Sequence, residues 1–175
     1  MRTILRIGVI LTEWGYVDAR QMEEALAYQK EHRDKRVGQI LIELAFVTEQ
    51  QVLEALASRL ELEIVDVASQ QVDLEAVAMV DKELAEKNLF LPLHVKNRTM
   101  VLVTNDPLNY FALEEVRQQT GCYLQIMLSR EEPLRQAISY YFAEVGARQA
   151  ATRANAGFLA EELDDFDLTE LENVD

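Results

Sequence analysis

Two arginines, each followed two residues later by glycine, are the most conspicuous recurring pair of polar and small residues in this chain. They are Arg6-Ile7-Gly8 and, thirty residues on, Arg36-Val37-Gly38. A guanidinium supplies fixed hydrogen-bond donors, and glycine lets another group come close to the backbone. Lys30, Arg33 and Lys35 lead into Arg36 and make that connector locally positive. The same residues equally suit two helix starts, with the arginines solvated or paired to Glu13 and Glu43. Other chemistry lacks its residues. No glycine-rich loop ending in Gly-Lys-Ser/Thr is present, so the chain carries no nucleoside-triphosphatase site of its own. His32 and His94 have no partner at metal-ligand spacing, no Gly-x-Ser-x-Gly occurs, and the single cysteine, Cys122, heads an apolar stretch that suits an inert core thiol. The expectation is a chain with no catalytic residues, no metal site and no required cofactor.

The wider composition narrows the partners. With one cysteine no intrachain disulfide can form, which suits a reducing compartment and makes the cytoplasm the default location. No apolar run approaches the roughly 18 to 20 residues of a membrane span, and Arg6 splits the apolar start of the chain, so a secretory signal is not expected. The net charge of −14 is concentrated at the end, where residues 161–175 hold 8 Asp+Glu and no Lys or Arg. Such a chain repels DNA and RNA, whose binding depends on neutralising many phosphates. A small anion in a local pocket is still compatible.

The two Arg-x-Gly motifs open a duplication. Residues 6–29 aligned on 36–59 without a gap share 11 of 24 residues. In each copy a short helix with apolar positions at helical spacing (Ile7, Ile10, Leu11, Trp14; Val37, Ile40, Leu41, Leu44) reaches Gly15 or Ala45 and then an apolar pair. Asp18 or Thr48 follows as an N-cap, Thr48 with Gln51 as a capping box, and opens a second helix. The apolar faces of two such units must bury against one another, which predicts a four-helix unit over 1–60.

Beyond Leu60 the pattern changes. Residues 63–67 read as a short strand, Asp73 and Asp81 as caps of short helices, and 89–105 as two strands turning at Lys96-Asn97-Arg98. A helix closed by Gly121, a strand from Cys122, and a helix from Glu131 to Phe142 with Pro133 in its first turn complete the pattern. The predicted class is α+β: the four-helix unit, then a small α/β sandwich over 61–145 with a sheet of three or four strands. Residues 146–175 have too little apolar content for a core and are expected to form an acidic linker or tail without fixed structure.

The repeat RIGVILTEWGYVDARQMEEALAYQ resembles the duplicated motif in the N-terminal domain of type II secretion and type IV pilus assembly ATPases. The later stretches LELEIVDVASQQVD, LPLHVKNRTMVLVTNDPLN and VRQQTGCYLQIMLSREEPLRQAI look like the rest of that domain, so the resemblance spans about residues 4–143. In that family the domain precedes a hexameric motor, joined by an acidic linker. The 175 residues hold no motor, which suits either a fragment of a longer ATPase or a stand-alone adaptor. The resemblance implies a non-catalytic docking role: recruiting the motor to the cytoplasmic domain of an inner-membrane platform protein, with contact to the motor ATPase itself and to the membrane only through a partner.

For a subset of the family it implies a second role, binding cyclic di-GMP as a regulatory ligand. The residues that would carry it are Arg6, Ile7, Gly8, Gly15 and Gln29 in one copy and Arg36, Val37, Gly38 and Arg59 in the other. A pseudo-twofold dinucleotide matches a duplicated site; arginine can stack on guanine or bond its O6 and N7, and glycine admits close approach. Copy two departs from the motif, with Ala45 in place of glycine and Arg59 in place of glutamine, while Met22 and Val52 replace a leucine in each copy. If Gly15 has a positive φ, Ala45 must adopt that conformation at a cost of about 1 kcal/mol or end its helix differently.

Overall fold

The computed structural model describes the backbone of residues 7–165 and the side chains as far as Gly157. Arg6 therefore lies outside the described residues, as do residues 166–175 of the acidic segment.

Four helices come first: α1 (Ile7–Glu13), α2 (Ala19–Glu31), α3 (Val37–Glu43) and α4 (Glu49–Leu60). Each copy sets its second helix with the same device. Asp18 accepts from the Gln21 amide at 2.8 Å while the Gln21 side chain accepts from the Asp18 amide at 3.0 Å. Thr48 and Gln51 repeat the exchange at 3.1 and 3.0 Å, so both helices begin in capping boxes that satisfy two end amides each.

The first helices also end alike. In copy one the Gly15 amide donates to the Thr12 carbonyl and the Tyr16 amide to the Leu11 carbonyl, each at 3.0 Å; in copy two Ala45 donates to Ile42 and Phe46 to Leu41, again at 3.0 Å. These are paired Schellman bonds, which require a left-handed residue at the turn. Gly15 has φ 74°, and Ala45 takes φ 60° without the freedom of glycine. Of the two outcomes open to copy two, the chain keeps the turn and accepts the strain.

The copies pack by exchange, α1 against α4 and α2 against α3, while α1 also meets α3. Ile10, Leu11, Ile40 and Leu41 at the centre are fully buried with Ala25, Leu53, Ala55 and Leu56. Leu128, contributed by the sheet of the second unit, is buried in the same cluster and joins the two units.

The second unit comprises β1 (Glu63–Ile64), α5 (Leu74–Ala78), α6 (Lys82–Asn88), β2 (Phe90–Lys96), β3 (Thr99–Thr104), α7 (Tyr110–Thr120), β4 (Tyr123–Leu128) and α8 (Glu131–Asp165). The sheet order is β1-β4-β3-β2, with β2 antiparallel to β3 and the other pairs parallel. Phe90, Leu91, Met100, Leu102, Val103, Val116 and Leu134 form a second core around it. The β2–β3 hairpin turns through Asn97 and Arg98, both left-handed at φ 52° and 62°, as a two-residue turn of the right twist demands. Asp73 and Asp81 cap α5 and α6 through their side chains, and Gly121 closes α7 at φ 68°.

Two element limits differ from the sequence reading. The strand expected over 63–67 is only Glu63–Ile64, because Asp66 caps a 3-10 turn at Val67–Ser69 and draws the chain away from the sheet. The last helix does not stop at Phe142 but continues to Asp165, through a stretch rich in the strong helix formers Ala, Arg, Gln and Glu. From Gly146 to Gly157 its side chains are all exposed, so there propensity rather than packing carries the helix.

Candidate ligand-binding groove

Because each copy packs its helices on those of the other, equivalent positions of both copies face one space. A groove of about 590 Å³ runs between the helical unit and the α/β unit, within the range usual for small-molecule sites. Five residues of copy one and their five equivalents in copy two line it: Ile7 with Val37, Gly8 with Gly38, Val9 with Gln39, Met22 with Val52, and Leu26 with Leu56. The lining is mostly apolar, and Val9 and Leu26, 51% and 44% exposed, stand free to cover a flat ring.

The glycines differ in their surroundings. A β-carbon at Gly8 would stand 2.5 Å from the Met22 Cε, whereas one at Gly38 would meet only Ile7, at 3.9 Å. The methionine methyl thus fills the notch beside Gly8, and the notch beside Gly38 is open.

Polar groups sit along the rim. Arg36 forms an ion pair with Asp106, which follows β3 in the Asn105-Asp106-Pro107 turn. Asp106 in turn accepts from the Leu108 amide at 3.2 Å, so its position is fixed by its own turn. Neighbouring Asn105 donates to the Ser129 carbonyl at 2.9 Å. Gln29 lines the groove and donates to the Lys35 carbonyl at 3.2 Å. The Glu49 carboxylate accepts from the Glu131 amide at the start of α8, at 3.2 Å, and pairs with Arg130 at 3.5 Å; Glu131 pairs with Arg135 at 2.7 Å. Each carboxylate on the rim therefore has an arginine partner.

Of the residues expected at the site, Ile7, Gly8, Gln29, Arg36, Val37 and Gly38 lie together in the groove. Gly15 and Arg59 do not line it. Gly15 serves the turn after α1, and Arg59 reaches Glu13 at 4.0 Å on the exposed surface. Nor does Arg36 pair with Glu43. That carboxylate bonds Lys35 at 2.9 Å, and this hydrogen bond is the chief reason the Lys35 ammonium is held above its ordinary pKa. Trp14, 42% exposed and tilted against Tyr16, stands outside the groove. The sequence reading singles out no groove residue from the α/β unit, where Asn105, Asp106, Leu108 and Glu131 contribute. The Asn-Asp-Pro stretch is the available signal, since a polar triplet after a buried strand marks a turn at a sheet end.

Among the described residues no group of three or more His, Cys, Asp or Glu is placed to hold a metal ion, and no helix is long and apolar enough to cross a membrane.

The MshEN domain family matches residues 58–148. The type IV pilus assembly ATPase PilB of Myxococcus xanthus (strain DK1622) is 25% identical over 172 residues, which are 97% of this chain and 29% of PilB. The chain thus spans under a third of the length of that relative. Among solved structures, MshE with cdg (cyclic di-GMP) is 30% identical at a TM-score of 0.68, over 78% of this chain and 99% of the MshE chain. The N-terminal domain of XpsE is 20% identical at a TM-score of 0.64, over 77% of this chain and 92% of its own, a likeness of fold.

Proposed function

This chain belongs to the MshEN family, the N-terminal domains of type II secretion and type IV pilus ATPases, and on that premise we propose that it is a regulatory domain binding a cyclic dinucleotide of the cyclic di-GMP kind in the duplicated groove. The observation that carries this reading is the set of five equivalent residue pairs facing one space. A ligand with two like halves gains from a wall with two like halves. The structure of MshE with cdg, 30% identical, supports the same ligand class.

The residues divide the work by their chemistry. Arg36 would exchange its carboxylate partner for guanine, bonding O6 and N7 or stacking on the ring. Gln29 offers an amide to a base edge or a phosphate. Gly38 leaves room for close approach, and Val9 and Leu26 cover apolar ring faces. Calorimetric titration of cyclic di-GMP into the 175-residue chain tests this. Wild type should release heat at about 100 μM ligand, and Arg36→Ala should bind at least about 10-fold more weakly, as for a lost charged hydrogen bond. No heat from wild type would falsify the reading.

A second role is favoured by a different surface. Phe111 on α7 is 88% exposed, and its neighbour Tyr110 46%, on the α/β unit outside the groove. An exposed aromatic pair suits protein contact. In this role the domain docks a motor ATPase onto the cytoplasmic domain of an inner-membrane platform protein, from the cytoplasm and without inserting into the bilayer. Co-purification with that platform domain is the expected result, and failure of the two to co-elute removes the docking role while leaving the groove reading intact.

A further inference from the structure

We propose that the cleft between α6 and α7 is the docking point for a partner protein and that it takes an arginine side chain flanked by apolar residues. This deepens the docking role and rests on it. The two helices run antiparallel, tied at one end by the Asp81 amide donating to the Gln119 side chain at 3.1 Å and at the other by the Asn109 side chain donating to that of Asn88 at 3.0 Å. A cavity of about 360 Å³ lies between the ties. Leu84 and Ala112 contribute its apolar lining, with Glu83 and Lys87 from α6 and Phe111 and Glu115 from α7.

One exposed phenylalanine is ordinary on a protein surface. What sets Phe111 apart is the charge around it. Glu115 stands one helical turn further along α7, and Glu83 lies on the facing helix. Neither has a cation within 4.0 Å among the described residues, although the next carboxylates on the same helices do: Glu86 with Lys82 at 3.8 Å and Glu114 with Arg117 at 3.1 Å. Those two cations are thus committed away from the cleft, and among the described residues Lys87 is the one positive side chain lining it.

An uncommitted carboxylate pair beside an exposed aromatic face is what a guanidinium uses best. Its plane stacks on the ring while its forked donors meet the carboxylates, and an apolar neighbour can fill the cleft over Leu84 and Ala112. Lysine lacks the planar fork and fits less well. A second copy of this chain is the wrong occupant, since its net charge of −14 sets acidic surface against acidic surface. The cleft is the size of one anchor, the kind of contact that carries most of the energy of a larger interface.

Calorimetry with the purified cytoplasmic domain of the platform protein tests this on the whole 175-residue chain. Wild type should bind. Phe111→Asp and the double variant Glu83→Lys with Glu115→Lys should each weaken binding at least about 10-fold, while Arg148→Ala, at an exposed position of α8 that lines neither the groove nor the cleft, should leave it unchanged. All three positions in the cleft are exposed, so the variants should unfold at the wild-type temperature. Binding should also weaken as salt rises. If wild type binds and both cleft variants bind equally well, the cleft assignment falls and the docking role stands. If wild type does not bind, the docking role falls and takes the cleft with it. A wild-type dimer in sedimentation that Phe111→Asp dissolves would give the cleft to a second copy and overturn the arginine partner.

Discussion

The two copies of the helical repeat share a backbone and differ in what their side chains hold. Both second helices open in the same capping box, and both first helices close on the same pair of Schellman bonds. Five pairs of equivalent residues face the groove. At the edges the symmetry ends: Gln29 lines the groove, whereas its equivalent Arg59 reaches out to Glu13. Met22 fills the notch beside Gly8, while a β-carbon beside Gly38 would meet only Ile7, at an ordinary contact distance of 3.9 Å. Duplication thus fixed a twofold frame, and among the described residues divergence set Gln29 of copy one in the groove and turned its equivalent Arg59 away from it.

The largest effect tests the frame. Leu11 and Leu41 are equivalent and both fully buried. Each replaced by Ala should cost about 2–5 kcal/mol in chemical denaturation, and the two costs should agree to within about 1 kcal/mol if the copies pack alike. A much cheaper loss in one copy breaks the comparison. Next come the glycines. Gly38→Ala should stabilise by about 0.5–1 kcal/mol, the ordinary gain in a helix where the new methyl meets nothing close. Gly8→Ala should gain nothing, since the Met22 methyl must give way, and the displaced side chain should weaken ligand binding. Equal stabilisation at both positions would mean that the two notches are alike.

The edges predict a sharper split in binding with a smaller energy. Gln29→Ala should weaken cyclic di-GMP binding by about 3- to 10-fold, the size of one neutral hydrogen bond, and Arg59→Ala should leave it within error of wild type. Loss at Arg59 in calorimetry would mean that the groove reaches further round α4 than its lining residues show.

Which features are legible in the sequence depends on which forces are local. The repeat, the caps at Asp18, Thr48, Asp73 and Asp81, and the turn at Asn97-Arg98 are readable because each acts within a few residues of itself. The reach of α8 is missed when low apolar content is equated with lack of order, since Ala, Arg and Glu favour helix without a core. β1 is overextended because Val65 and Val67 look like strand residues, while Asp66 between them caps a 3-10 turn. The far wall of the groove is not readable. Asp106 lies about seventy positions from Arg36, and only the joint between the two units, where Leu128 enters the helical core, brings them together. The same holds for the α6–α7 cleft, whose acidic residues look like ordinary solvated helix faces until the pairing of their neighbours is known.

The smallest effect concerns the turn after the first helix, where copy two, unlike copy one, carries backbone strain. Ala45 holds φ 60° to make the turn that Gly15 makes at φ 74°. A β-carbon in the left-handed region costs about 1–2 kcal/mol, and glycine returns part of that gain by widening the unfolded ensemble. Ala45→Gly should therefore stabilise by about 0.5–1 kcal/mol, and Gly15→Ala should destabilise by the same amount, since nothing lies within 4 Å of its β-position and only the backbone resists. Equilibrium denaturation of the two variants and of the double exchange measures this directly. The double exchange should come out near wild type, because the two turns are built from the same hydrogen bonds. If Ala45→Gly leaves stability unchanged, the second turn relaxes in solution to a conformation that alanine accepts, and the copies are not the structural equals that their shared bonds make them.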